Sequence, residues 1–284
     1  MGKRVRILRE TMKAAEDGFY FIDEQVIKLP VSFEQIKQTK LYSAEQILQL
    51  PKVSLPGNKP VRIALRNQDT LEAAFELHQH RTEREKPVLV LNFANPHRPG
   101  GGIRSKPGTQ EEHLCVKTTL LCSLETEGAW PFYQTNLDCG TQAQTDTILY
   151  SPNTVVIRNP DLSLREDPFP IAVMTVSAPI ASRMESEELP DLENILRNRI
   201  YGMIRTAVEE GYTRLVLGAW GCGNFGNDPD LVAKIFQQII MECNDSDGTY
   251  FANFFEEIVM AVFDGSVEQM RYQSFAHFFP EKKN

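Results

Sequence analysis

Gly100-Gly101-Gly102 stands seven residues ahead of Gln110-Glu111-Glu112, and these two triplets hold most of the chemistry the chain advertises. Glycine has no Cβ, so three in a row after an apolar strand leave backbone N–H groups that a ligand can approach closely. Two adjacent carboxylates repel each other and add nothing to a core. Taken singly, a glycine triplet is a tight turn and a Glu-Glu pair in a first helical turn compensates the helix dipole. Together they describe a place that grips a ligand and performs acid–base work on it.

A second glycine-rich stretch, Gly221-Cys222-Gly223-Asn224-Phe225-Gly226, follows the apolar run 214–219 and precedes Asp228-Pro229. Asp at an N-cap and Pro at the first helical position open a helix there. Backbone N–H groups and the helix dipole can then hold a diphosphate without a basic patch. That matters because the chain carries a net charge of −8, which argues against direct nucleic-acid binding. Neither glycine stretch matches the Walker A or G-x-G-x-x-G pattern, so nucleoside triphosphates and nicotinamide dinucleotides fit poorly. Phe225 reads two ways: as a cover for a ribose or base, or as a plug that seats the loop in the core. Cys222 has no histidine placed to activate it and reads as a small packing residue. His78 and His80 are two apart and face different ways on a helix. Asp138 and Asp146 have no partner at ligand spacing, so no metal is expected.

The elements that must position these residues alternate. Val61, Ile63 and Leu65 predict a strand, and Leu71 to Leu77 a helix capped by Asp69 or Thr70. Val88 to Phe93 reads as an apolar strand buried on both faces. A helix is expected over Gln110 to Leu124 and a hairpin turn at Ser151-Pro152-Asn153. Ile171 to Val176, Arg214 to Ala219 and Ile258 to Phe263 predict further strands. Leu192 to Ala207 predicts a long amphipathic helix closed by Gly211. Ser266 to Gln269 is expected to cap a last helix. Strands alternating with helices imply an α/β fold with a mixed or parallel sheet covered on both faces. Residues 1 to about 60 read as an accessory region, with a helix at Val5 to Ala15, extended chain from Phe19 to Leu29, and a capping box at Ser43-Ala44-Glu45-Gln46. The proline-rich stretch from Leu50 to Pro60 is the linker candidate.

The chain's 284 residues are 42% hydrophobic and 24% charged, values typical of soluble globular chains. No apolar run approaches the roughly 20 residues that span a bilayer, and the N-terminus leads into no secretory apolar segment. Five cysteines form no C-x-x-C pair, which argues against a disulfide framework or zinc site and for a reducing, cytoplasmic setting.

At this point a family resemblance emerges. Gly100-Gly101-Gly102 with Gln110-Glu111-Glu112 resembles the GGG-x(6–8)-QEE motif of poly(ADP-ribose) glycohydrolases, and Gly221 to Gly226 is similar to their GCGxFG diphosphate loop. Phe93-Ala94-Asn95 and Phe263-Asp264 resemble, more weakly, the family's F-A-N element and adenine-stacking position. The match runs from about residue 60 to the C-terminus and looks like the compact bacterial type; the tyrosine-bearing insertion of the family is not recognisable. The resemblance implies a macrodomain-like three-layer α/β/α fold with a mixed central sheet over 61–284, with 1–60 as an N-terminal accessory region.

It also implies roles. Glu112 would protonate the oxygen leaving the anomeric carbon and then activate water. Glu111 and Asn95 would position the ribose hydroxyls, with Gly100, Gly101, Gly102 and Gln110 around the same ribose. The 221–226 loop (Gly221, Cys222, Gly223, Asn224, Phe225, Gly226) would hold the diphosphate, and Phe263 would stack on adenine. Adjacent helical residues point about 100° apart, so Glu111 and Glu112 are not expected to face the same bond. Glu112 alone would then serve as acid and base in turn. A helix N-terminus favours its ionised form, so its proton would have to come with the bound diphosphate and desolvation. The implied activity is hydrolysis of ribose–ribose bonds in poly(ADP-ribose), mainly from the chain end, releasing ADP-ribose. Removal of single ADP-ribose units from proteins, or non-catalytic ADP-ribose binding, stay open as alternatives. The partners implied are the polymer or ADP-ribosylated proteins, with no cofactor, no membrane, and a monomeric enzyme.

Overall fold

Local rules explain most elements of the computed structural model, which describes residues 3–50, 60–105, 108–242 and 250–280. Helix α1 (Lys3–Asp17) leads into strands β1 (Phe19–Ile22) and β2 (Gln25–Lys28), which turn at Asp23 with φ of 51°. Short helix α2 (Phe33–Ile36) starts at a Ser32/Gln35 capping box and is followed by strand β3 (Lys40–Tyr42). Helix α3 (Ala44–Leu48) has the expected Ser43/Gln46 box. Strand β4 (Arg62–Arg66) precedes α4 (Thr70–Gln79), which Asp69 caps with Glu72. Each box satisfies two backbone donors that a helix start leaves orphaned. Strand β5 (Val88–Phe93) follows, then α5 (Gln110–Lys117), α6 (Leu120–Leu124) and α7 (Trp130–Asp138). Strands β6 (Ile148–Arg158) and β7 (Leu164–Val176) form a long hairpin, and α8 (Leu192–Glu209), β8 (Arg214–Leu217), α9 (Pro229–Glu242), β9 (Glu257–Ala261) and α10 (Met270–Phe278) complete the chain.

Seven strands form one mixed sheet in the order β3-β6-β7-β5-β8-β9-β4, the α/β class expected from the sequence. The chain divides into two compact units. One comprises Met1–Tyr42, Asn92–Asp138 and Thr147–Val176. Here β3 pairs antiparallel with β6 (Lys40 opposite Tyr150) and β6 with β7. Ala14, Tyr20, Ile27, Val155 and Ile157 share one apolar cluster, and Ala15, Ile36 and Cys122 another. The N-terminal elements are thus packed on β6 and α6, not appended to them. The other unit comprises Ser43–Leu91, Cys139–Asp146 and Ser177–Asn284. In it β5 pairs with β8, β8 with β9 and β9 with β4, all parallel. Helix α4 packs on β8 and β9, while α9 lies against α8 and α10. No helix among the described residues is long and apolar enough to cross a membrane.

Three expectations are corrected. The Gln110 to Leu124 helix is broken: Thr118 is extended (φ −133°, ψ 170°) and bridges Val156, so α5 and α6 are separate. The side chain of Thr119 accepts the Val155 N–H at 3.0 Å, which draws the chain out of the helix and onto β6. Ser151-Pro152-Asn153 is no hairpin turn; β6 runs through it with a register shift between Ser151 and Thr154. Proline has no N–H to give a ladder, and an irregularity of this kind is where a strand tolerates it. The last helix begins four residues later than its Ser266 signal, after a left-handed Gln269, because Ser266 Oγ accepts the Gln269 N–H and closes a turn of its own. Most of the Leu50 to Pro60 linker candidate lies outside the described residues.

Candidate active site

Strand β5 and helix α5 present the first group. Gln110 Oε1 accepts the Phe93 N–H at 2.9 Å, tying the helix start to the strand end. The Asn95 N–H donates to Glu111 Oε2 at 2.8 Å, and Asn95 Oδ1 accepts from the His97 and Arg98 N–H groups. Glu112 occupies the third position of α5. Its Oε1 accepts the Gly102 N–H at 2.7 Å, and its Oε2 accepts the Thr109 N–H at 2.6 Å, the Gly108 N–H at 3.3 Å and the Thr109 hydroxyl.

Contrary to the expected splay, the two carboxyl groups converge. A Cβ on Gly101 would stand 2.5 Å from Glu112 Oε1 and 3.0 Å from Glu111 Oε2, and Gly101 has φ of +55°. Helix geometry separates the Cα–Cβ directions, but glutamate has enough rotatable bonds to bring its end round. Backbone donors on the 95–102 loop pull both carboxyl groups to the same spot. Only glycine fits there, on both space and backbone conformation.

The two acids differ sharply in proton affinity. Glu111 is 1% exposed. Burial pushes its pKa up to about 8, against the bonds from Asn95 and Asn92, and the Glu112 charge adds to the rise. For Glu112, burial works in the same direction, but the bonds from Thr109, Gly102 and Gly108 outweigh it and hold the carboxyl below the usual range. Of the two, Glu111 therefore holds its proton to the higher pH and Glu112 gives its own up first.

In the other unit, β8 feeds the second glycine stretch. Gly221 has φ of +75°, and a Cβ there would meet Ala178 Cβ and Asn227 Nδ2, each at 2.6 Å. Asn227 Nδ2 donates to Pro179 O at 2.8 Å and Gly221 O at 3.0 Å, and the Ser182 N–H donates to Phe225 O at 2.9 Å. The 179–182 segment thus holds the loop's shape from behind. Gly223 and Asn224 are exposed, Phe225 is half-buried, and nothing lies within 4 Å of a Cβ built on Gly223. Burial pushes the Cys222 thiol up to about 12, so it carries no thiolate at neutral pH.

Phe263, two residues past the end of β9, is 69% exposed. Its neighbour Asp264 is buried and works as an anchor: its carboxylate accepts from Ser266 Oγ at 2.7 Å, the Arg271 N–H at 3.0 Å and Arg271 Nη2 at 3.2 Å. Burial opposes its charge, but Arg271 and Ser266 outweigh burial and hold it well below the usual carboxylate range. Sequence reasoning missed the support roles of Asp264 and Asn227, and missed Asn92 altogether. For Asn92 a signal existed, a lone amide in the apolar run 88–93.

An α/β chain with an acid pair closed over a bare glycine and a glycine loop leading into a helix N-terminus belongs to the ligand-binding, acid–base class of such folds. The family model described as microbial-type PARG, catalytic domain, matches residues 8–159. The solved poly(ADP-ribose) glycohydrolase of Thermomonospora curvata is similar with a TM-score of 0.85 and 32% identity, over 97% of this chain and 99% of that one. A second structure of it, bound to the inhibitor ADP-HPD, has a TM-score of 0.83 and 32% identity over 96% and 98%. The Deinococcus radiodurans poly(ADP-ribose) glycohydrolase in complex with ADP-ribose has a TM-score of 0.76 and 28% identity over 89% and 98%. No curated protein sequence matches the chain. The chain belongs to the microbial-type poly(ADP-ribose) glycohydrolase family, and it is an enzyme of that kind.

Proposed function

We propose that Glu112 is the acid–base carboxyl with which this poly(ADP-ribose) glycohydrolase cleaves ribose–ribose O-glycosidic bonds. The observation that carries the reading is the convergence of Glu111 and Glu112 on the bare α-carbon of Gly101. A binder alone needs no paired acid held against an open backbone. In the free protein Glu112 is ionised; the charge of a bound diphosphate and the loss of water both raise its proton affinity. Protonated, it gives its proton to the leaving oxygen and then takes one from the attacking water. Glu111 and Asn95 orient the ribose hydroxyls, with Gly100 to Gly102 and Gln110 beside the same sugar. The Gly221 to Gly226 loop, with Cys222, Gly223, Asn224 and Phe225, takes the diphosphate, and Phe263 stacks on adenine. ADP-ribose, which the D. radiodurans protein holds, is both the ligand and the product.

We further propose that the enzyme is monomeric, works mainly from the free end of the polymer, and uses 61–284 as its catalytic portion. The test is Glu112→Gln assayed on automodified polymer, with chromatography of released ADP-ribose. General acid–base catalysis contributes about 10²–10⁴-fold, so hydrolysis should fall by that much while calorimetry still registers ADP-ribose binding. Near-normal turnover would remove Glu112 from the role. A parallel arm with a mono-ADP-ribosylated protein separates polymer cleavage from removal of single units.

A further inference from the structure

Asn92 is the only polar residue of β5, and it is 0% exposed. Its Nδ2 donates to Glu111 Oε1 and to Thr175 Oγ1 of β7, both at 3.2 Å, while its Oδ1 is buried without a hydrogen-bond partner. A buried carbonyl left unpaired costs stability that an apolar residue of like size would not. Valine in this strand would pack as its neighbours do. The amide is kept in spite of that cost, and what its two N–H groups hold is the Glu111 carboxyl and Thr175.

We propose that Asn92 is a positioning residue: braced on Thr175, it fixes the orientation of the Glu111 carboxyl and governs the proton which that carboxyl carries. The proposal rests on the role given above to Glu111. The braced amide leaves Oε1 pointing into β5 while Oε2, bonded by the Asn95 N–H, lies beside Gly101. The titratable groups facing Glu111 are Glu112 and Cys115 on its own helix and Tyr133 on α7. Glu125 acts in turn on Cys115 and Tyr133. Burial holds Cys115 and Tyr133 firmly neutral, so Glu112 is the charged neighbour. Strands β5 and β7 contribute Asn92 and Thr175, neither of which titrates. An N–H donated to a carboxylate favours its charged form. Asn92 thus opposes burial, and removing its donor must raise the pH at which Glu111 loses its proton.

The experiment follows the Glu111 carboxyl in the free, full-length protein, using 13C-carboxyl-labelled glutamate and NMR from pH 5 to 10. Loss of the signal in Glu111→Gln assigns it. Asn92→Asp keeps the shape and, once ionised, replaces the donors with a like charge that also raises the Glu111 midpoint; Asn92→Val removes the amide and leaves a residue suited to a buried strand. Both should move the Glu111 midpoint upward by about one pH unit, the worth of one hydrogen bond to a charged group, and lower kcat more than they raise KM. Asn92→Val also leaves Glu111 Oε1 and Thr175 Oγ1 without this donor and should lower Tm somewhat, so the titration midpoint is the deciding readout. A midpoint unchanged in both variants overturns the proposal, as does a Tm loss with unaltered titration in Asn92→Val. If the midpoint moves as stated but Glu111→Gln hydrolyses polymer at the wild-type rate, Asn92 does hold the carboxyl, and it is the ribose-positioning role of Glu111 that falls.

Discussion

Glu111 and Glu112 are chemically identical and consecutive, yet their surroundings push them in opposite directions. Glu111 is sealed in with few donors; Glu112 collects three from the turn that opens its helix and a fourth from Gly102. Linkage turns this into a stability signature. Glu111 has a folded pKa of about 8, above its unfolded value, so between the two the folded state binds more protons and stability falls as pH rises. Each unit is worth about 1.4 kcal/mol, which makes the penalty on the order of a few kcal/mol above pH 8. Glu112 behaves oppositely: its contribution is present above its unfolded value and is lost as pH falls through its depressed folded one. Glu111→Gln should therefore gain Tm relative to wild type as pH is raised from 5 to 8.5, whereas Glu112→Gln should lose most at neutral pH and little at pH 3. Melting curves at matched pH values check both, and parallel trends for the two variants would refute the assignment.

Among elements, the 221–226 loop separates structure from binding residue by residue. Gly221 is boxed in by Ala178 and Asn227 at left-handed φ, whereas Gly223 faces open space. Gly223→Val should leave Tm within a few degrees of wild type while weakening ADP-ribose binding at least tenfold by calorimetry; Gly221→Val should lose both. Unchanged affinity in Gly223→Val would dissociate the loop from the diphosphate. If backbone N–H groups and not Lys or Arg make the phosphate contacts, as proposed, affinity should depend weakly on salt. Elements are legible where one local rule acts alone: the box at Ser43, the cap at Asp69 or Thr70, the Pro229 start, the apolar run at 171–176 and most of that at 214–219. They were misread where a distant partner decides. Thr118 and Thr119 fit a helix until β6 offers them a better bond. Pro152 marks a turn unless the strand can absorb it as an irregularity. Helix α7 gave no signal, because its Trp130-Pro131-Phe132-Tyr133 start is poor in helix formers. The site's motifs were readable from residue types, but the convergence of the two acids was not, since it depends on rotamers drawn in by loop donors.

For the whole molecule, net charge and the extent of the roles proposed bear on how polymer is used. The adenine, diphosphate and ribose roles proposed would account for one ADP-ribose unit, and the net charge of −8 disfavours further polyanion against the surface. Early time points on long polymer should yield free ADP-ribose; a predominance of short oligomers would show internal cutting. The pairing of β3 with β6 has a separate consequence, for biosynthesis. Lys40 leaves the ribosome well before its partner Tyr150, and at roughly 5–20 residues per second the delay is about 5–20 s. Throughout that interval Tyr20, Ile27 and Ile36 have no Val155, Ile157 or Cys122 to cover them, so the nascent segment lacks these apolar partners until they are made. The reverse holds for a chain begun at residue 61: β6 would emerge with a bare hydrogen-bonding edge, the template for intermolecular pairing that natural sheets avoid. Such a fragment should aggregate on expression and be recovered in soluble form when residues 1–60 are supplied in trans, so a stretch to which no chemical role is assigned would still be the enzyme's own guard against precipitation.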